Sequence, residues 1–392
     1  MSESVFHRFG CRPVINACGI YTDLGGTVLS PTVWAAMEQA NEAQVSMVEL
    51  LDATGSIVAE LLGTEAARIA PGASACITLA TAACMAGTDG AKAEQLPSAE
   101  GMKSGVVIQR RHRYKYDRMT RIAGATLVEA GDDERTTPAE LDTALRDDPA
   151  AMCFPAHLDG LEGTVSLDES LDMAHARGIP VIVDAAYLNY PVELMSSFAR
   201  RGADLVIFSA KYFYGPNAGG VVCGRADLIE AVKALDFTRY ESGDYLPLGR
   251  PFKQDRQTVV GVVTALQEWL TMDHVERFAG YSRRVASIAR RLDDAPGISC
   301  TPMHLTMQET LRPEPVNCLR IEFGPYAARG AAKVEAALAA GDPAIAVHLR
   351  EGEIIVDVEC VSDADARSIG SRLREELGLP VFSRNASERS HR

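Results

Sequence analysis

Apolar residues fall into two spacings along this chain. In the first sixty residues they recur every three or four positions. SPTVWAAMEQANEA (residues 30–43) predicts a helix, with Ser30 as its cap and Pro31 in its first turn. VELLDATGSIVAELLGT predicts an amphipathic helix that stops at Gly63. ARIAPGASACITLATAACMAG reads as a short strand, a glycine turn and a helix of small residues, while residues 90–105 (GAKAEQLPSAEGMKSG) read as a polar loop. From there the apolar runs are short and continuous: GVVIQR, TLVEA, AMCFPA, IPVIVDAAY and ADLVIFSAK. Between two of them SLDESLDMAHARG carries a capping box, Ser166 with Glu169. Continuous apolar strands alternating with helices predict an α/β fold, a mostly parallel sheet in a large domain sandwiched by helices.

Near residue 245 the pattern changes. Two long helices are predicted over residues 256–270 and 273–292, then strands NCLRIEF and EIIVDVEC, then a helix near 363–377. This predicts a smaller C-terminal α+β domain. The expected division is an N-terminal segment 1–30, a large domain 31–245, a small domain 246–382 and a disordered tail 383–392.

Composition narrows the function classes. The formal net charge of −14 disfavours nonspecific nucleic-acid binding, which relies on Lys and Arg displacing phosphate counterions. The longest weakly polar run, residues 73–87, is too short to span a bilayer, and MSESVFHRFG has no apolar signal core. Nine scattered cysteines without a CxxC pair predict reduced thiols and a cytoplasmic protein.

In an open parallel sheet, ligands collect at the carboxyl ends of the strands. There stand the turn Gly72-Ala73-Ser74-Ala75, His112, Asp184, Ser209 and Lys211. Each is common alone. Together they match the needs of pyridoxal phosphate: amide donors at a helix start for the phosphate, a ring to stack, a carboxylate for the pyridinium nitrogen and a lysine to anchor the aldehyde. Competing signatures are missing from the sequence: no GxxxxGK[ST], no GxGxxG after the first strand, no GxSxG and no zinc-ligand spacing.

Several motifs strengthen this reading. VINACGIYTDLGG with LSPTVWAAM, LLGTEAARIAPGASACITLATAACMAG, VDAAY followed by SAKYFYGPNAGG, and LPLGRPFKQDRQTVVGVVTAL resemble fold-type I pyridoxal-phosphate enzymes of the class V aminotransferase-like group. More narrowly, they resemble the branch that holds selenocysteine synthase and D-glucosaminate-6-phosphate ammonia-lyase. The likeness runs from about residue 13 to 375. It implies Lys211 as the anchoring and catalytic lysine, Asp184 as the pyridinium partner, Gly72, Ala73, Ser74 and Ala75 as the phosphate cup, His112 as the stacking ring and Tyr187 near the cofactor hydroxyl. Ser209 is implied as a further phosphate ligand, although it stands one residue closer to the lysine than the usual Ser-x-x-Lys. Arg250 and Lys253 match a segment that contacts substrate or a neighbouring subunit's phosphate. His348 stands where relatives often carry an arginine, which leaves Arg350 or Arg320 to hold a substrate carboxylate. The resemblance also implies a homodimer or larger homo-oligomer with sites at the interface.

The expected function is a lyase: Lys211 takes the α-proton of a small, anionic, β-hydroxy or β-substituted amino acid, and β-elimination yields a 2-oxo acid and ammonia. Racemisation, aldol cleavage and transamination share the same start. A tRNA-dependent selenium transferase is disfavoured by the charge and by a family motif that begins near residue 13, and a binding module without catalysis by the intact lysine and aspartate. Neither a nucleic-acid nor a membrane partner is expected, and no metal. QRRHRYKYDRMTR (residues 109–121) stands apart, with five arginines and one lysine against one aspartate. It reads either as a solvated face or as a positive block that attracts an anionic substrate.

Overall fold

The computed structural model describes residues 4–380, so the predicted tail at 383–392 lies outside the described residues. The chain divides into two units, one of residues 27–271 and one that joins the residues up to Gly26 with those from Met272 on.

Strand β1 (Val14–Ala17) belongs to the second of these. The larger unit contains β2 (Ala66–Ala70), β3 (Gly105–Gln109), β4 (Thr126–Ala130), β5 (Ala151–Pro155), β6 (Val181–Asp184), β7 (Leu205–Ser209) and β8 (Gly220–Gly224). They form one sheet in the order β2-β8-β7-β6-β5-β3-β4. Only β8 runs against its neighbours, and the others are parallel to one another. The near-continuous burial of β5, β6, β7 and β8 explains their unbroken apolar runs. The helix Gly72–Ala86 packs its small residues on the sheet, against Ile207 and Val222 among others.

The helix start read at Ser30 and the helix end read at Gly63 both form. Ser30 Oγ accepts the Val33 N–H at 3.1 Å, and Ser46 caps the helix Met47–Leu62, which ends at Gly63 in the left-handed region (φ 65°). Ser166 caps its helix through the Glu169 N–H at 3.3 Å, although the return half of the capping box does not form. The polar loop expected at 90–105 contains a short helix, Gly90–Gln95. Asp89 starts it by accepting the Ala91 and Lys92 N–H groups, and Ala93 buries its inner side. One buried alanine leaves no periodicity to read.

The boundary expected at 245/246 falls instead at 271/272. The helix Arg256–Thr271 packs on the helix Pro31–Asn41: Arg256 Nε donates to the Ala40 carbonyl at 2.7 Å and Ser30 Oγ to Glu268 at 2.6 Å. Nor do residues 1–30 stand apart. β1 pairs in parallel with a strand more than three hundred residues later.

The smaller unit adds β9 (Ile298–Leu305), β10 (Leu311–Arg312), β11 (Cys318–Phe323), β12 (Ala344–Arg350) and β13 (Glu353–Asp357). Its sheet order is β1-β12-β13-β11-β9-β10, antiparallel except for β1 against β12. Helices His274–Ala289, Ala331–Ala339 and Asp363–Glu376 share its core with Leu319, Ile345, Ile354 and Leu373.

Candidate active site

Strand register assembles the candidate residues of the larger unit. Ser209 at the end of β7 pairs with Gly220 at the start of β8, and Gly220 pairs with Ala70 at the end of β2. One row across the sheet therefore brings together the Ser209-Ala210-Lys211 turn and the Pro71-Gly72 turn, which are 138 residues apart in sequence (209 − 71). The approach is close. A Cβ on Gly220 would lie 2.5 Å from the Gly72 carbonyl carbon and 2.8 Å from its Cα. Gly72 itself has φ +83°, where a side chain is strained. Pro71 gives the helix Gly72–Ala86 no side-chain cap, so its first-turn N–H groups are left for water or an anion.

Lys211 follows β7 in a single turn of 3₁₀ helix, Ala210–Phe213, pinned by Ala210 N–H to the Gly219 carbonyl at 2.9 Å. It is 9 % exposed, and its Nζ lies 4.9 Å from the Tyr212 ring centroid. The strand thus ends in a lysine held against an aromatic wall, not in a solvated one. Asp184 closes β6 in register with Ile207, two residues before Ser209 on the neighbouring strand. Its Oδ1 accepts the Ala186 N–H at 3.0 Å, and its Oδ2 accepts the Tyr114 hydroxyl. Burial pushes this carboxyl up, while those two bonds pull it back toward the anion.

An arc of rings links these groups. Tyr114 and His157 centroids are 5.6 Å apart, His157 and Tyr187 5.3 Å, and Tyr187 and Tyr212 5.9 Å. Tyr187, singled out from the sequence, is part of this wall; Tyr114, His157 and Tyr212 were not. The signal for Tyr114 was present but masked, since it lies inside the basic segment and reads there as surface.

His112 is placed differently from the expectation of a stacking ring. It is fully buried, edge-on to Phe154 at 4.8 Å and 83°. The 3₁₀ turn Arg110–His112 rotates it into the core, and a ring with no accessible face offers none to a cofactor. Neither ring nitrogen makes a hydrogen bond of ordinary geometry among the described residues, the Leu158 backbone contact falling short. Burial lowers its pKa to about 4, so the ring is neutral.

The expected substrate contacts belong to both units. Arg250 donates Nε to Glu241 at 2.8 Å, and Lys253 is exposed. His348, on β12 of the smaller unit, pairs its Nε2 with the Cys18 carbonyl at 3.1 Å and sits edge-on to Tyr21. Arg350 is bound to Glu309 at 2.6 Å, and Arg320 holds Glu353 through two bonds of 2.7 and 2.6 Å. Both arginines are thus paired with carboxylates of the smaller unit, as Arg250 is paired within the larger one. Much of the basic segment is likewise satisfied: Arg110 binds Glu129 and Asp133, Arg113 binds Asp117 and Glu129, and Arg111 binds the Glu134 and Glu162 carbonyls. Lys115, Arg118 and Arg121 line an open hollow of about 560 Å³ and make no ion pair among the described residues.

An uncapped helix start, a buried carboxyl and a strand-end lysine, gathered on one edge of a mostly parallel sheet, fit pyridoxal phosphate. These features define the chain as a fold-type I pyridoxal-phosphate enzyme. A class-V aminotransferase model matches residues 113–241. The chain is 31% identical over 384 residues to a 5'-C-glycyluridine monooxygenase-decarboxylase of a Streptomyces, covering 95% of this chain and 92% of that one. It is 29% identical to the D-glucosaminate-6-phosphate ammonia lyase of Salmonella typhimurium, covering 96% and 98%. A solved structure of a D-glucosaminate-6-phosphate ammonia-lyase superimposes with a TM-score of 0.84 at 28% identity, over 96% of this chain and 99% of that one. The chain belongs to the class V aminotransferase-like family of pyridoxal-phosphate enzymes.

Proposed function

We propose that this enzyme is an ammonia-lyase for an anionic amino acid with a β-hydroxyl or another β-leaving group. The observation that carries the reading is the near-complete match in fold to an ammonia-lyase, 0.84 over 96% of the chain, around a site that contains a strand-end lysine and a buried carboxyl. Bound pyridoxal phosphate would supply an electron sink for the pair left at Cα. Gly72 to Ala75 would hold its phosphate with backbone N–H groups, and Ser209 would add a hydroxyl from the end of β7, across β8. Asp184 would hold the ring nitrogen, and Tyr187 would stand near the cofactor hydroxyl.

Lys211 has two tasks, to anchor the cofactor's aldehyde and to take the α-proton. Its place in a short pinned turn, against Tyr212, limits its travel and shields it from water. The net change balances without an oxidant. The Cα–H and Cβ–O bonds break and water leaves; hydrolysis of the resulting enamine gives a 2-oxo acid and ammonium. Arg250 and Lys253 are the proposed contacts for the substrate's anionic group, and a homodimer or larger assembly would complete the site. A cytoplasmic setting accords with nine scattered cysteines that form no CxxC pair.

The test is direct. The cofactor-loaded protein is offered phosphorylated and dicarboxylic β-hydroxy amino acids and a phosphorylated 2-amino sugar acid, and 2-oxo acid and ammonium are measured. Equal release of both, lost in Lys211→Ala, supports the lyase. Absence of both from every substrate sinks it.

A second reading rests on the 31% relative, whose name describes a monooxygenase-decarboxylase. In that case an amino acid carried on a nucleoside would lose carbon dioxide with uptake of dioxygen. Oxygen consumption and carbon dioxide release, without ammonium, would favour it.

A further inference from the structure

We infer that Tyr114 is the positioning residue of the cofactor acid: its hydroxyl holds Asp184 as an anion aimed at the ring nitrogen. The inference rests on the cofactor assignment and goes beyond it, because no motif of the sequence marks Tyr114.

The contact is built, not incidental. Tyr114 follows β3, whereas Asp184 ends β6, and β5 lies between those strands in the sheet. The segment after β3 must therefore fold across the end of β5 to bring the hydroxyl to Asp184 Oδ2. Two independent contacts hold it there. The Tyr114 backbone N–H donates to Asp117 Oδ2 at 3.1 Å, and Asp117 is itself buried and fixed by Arg113 at 2.5 Å. The ring is wedged edge-on to His157 at 5.6 Å and Tyr116 at 6.1 Å. So part of the basic segment serves the site from behind: Arg113 orients Asp117, Asp117 orients Tyr114, and Tyr114 orients Asp184.

The electrostatics agree. A buried carboxyl tends to keep its proton, and donors to its anionic form oppose that tendency. Asp184 has two, the Ala186 N–H and the Tyr114 hydroxyl. Tyr114 cannot easily act as the acid in return, since burial and then the charge of Asp184 push its phenol well up. It donates and keeps its proton. With Asp184 held anionic, a proton shared between this carboxylate and a ring nitrogen rests on the nitrogen, which is what an electron sink requires.

The experiment compares wild type, Tyr114→Phe and Tyr114→His, each loaded with pyridoxal phosphate isotopically labelled at the ring nitrogen. Nitrogen NMR reports whether that nitrogen is protonated, and equilibrium titration reports cofactor affinity. In wild type a pyridinium signal is expected. In Tyr114→Phe the ring and its packing remain, and the signal moves toward neutral pyridine while affinity falls about tenfold or more, as for loss of one hydrogen bond to a charged group. Tyr114→His keeps a donor and recovers part of both. If both variants keep the wild-type nitrogen signal and affinity, or if Phe tightens binding because the hydroxyl merely fills the cofactor's place, the inference is overturned. Failure of wild type itself to bind the cofactor would instead overturn the cofactor assignment.

Discussion

Replacing Gly220 by alanine adds one methyl group at the place where two distant turns meet. The new Cβ would lie 2.5 Å from the Gly72 carbonyl carbon, 2.8 Å from its Cα and 2.8 Å from its oxygen. Carbon atoms in contact prefer about 3.5–4.0 Å, so three atoms sit far up the repulsive wall. A flexible side chain would swing aside, but these are backbone atoms at the first residue of a helix packed into the core. Relief requires β8 and the Gly72 turn to move apart. Overpacking of this kind costs about 1–3 kcal/mol, and a rigid neighbour places it near 3. In a unit of this size that lowers the melting temperature by roughly 6–12 °C. If these first-turn N–H groups hold the cofactor phosphate as proposed, the same displacement would turn them away from it, and loss of one such bond would weaken cofactor binding about tenfold or more. Gly72→Ala is the matched control: its Cβ meets nothing within 4 Å, so its cost, about 1–2 kcal/mol, comes from the positive φ alone. Thermal denaturation of the cofactor-free proteins and cofactor titration read both quantities. A Gly220→Ala protein as stable as wild type, with equal cofactor affinity, would refute the claim that this contact shapes the cup.

Further outcomes follow from other contacts. Lys211→Ala should bind pyridoxal phosphate reversibly and release all of it on denaturation after borohydride treatment, whereas in wild type borohydride bleaches the visible band and leaves the cofactor covalently attached; covalent attachment that persists in the variant would remove Lys211 as the anchor. Arg68→Met on β2 leaves Asp236, 4 % exposed, without the guanidinium that now binds it through two nitrogens, and should cost about 3 kcal/mol in urea unfolding. Asp357 and Glu359 are both pushed up, burial being the main cause. A carboxyl with a raised folded pKa binds its proton more tightly when folded, so its stabilising effect is full below its unfolded value, about 4, and fades as pH rises through the folded one. Urea midpoints should therefore fall between mildly acidic and neutral pH in wild type, and fall less in Asp357→Asn. Parallel slopes in the two proteins would contradict this.

Much of the architecture was legible because it rests on local rules. Unbroken apolar runs such as DLVIFS mark strands covered on both faces, and Ser30, Ser166 and Gly63 mark helix ends whatever lies around them. Lys211 and Asp184 could be picked out for the same reason: each follows such a run, and the carboxyl end of a parallel strand is where a ligand binds. The weaker elements escaped notice. β9 and β10 have mixed burial and no clean alternation, and the helix Gly90–Gln95 buries a single alanine.

What sequence by itself could not determine was which groups meet. His112 and Tyr114 are two residues apart in one basic segment, and nothing local says that the first turns into the core while the second reaches Asp184. Nor does composition say that Arg320 and Arg350 are spent on Glu353 and Glu309. Even the domain limits depended on pairing at a distance, with β1 joined to β12 and the helix Arg256–Thr271 packed on Pro31–Asn41. Periodicity and capping act over a few residues, so the chain displays them directly. Register, side-chain direction and charge pairing depend on which strands become neighbours, and only the folded sheet decides that.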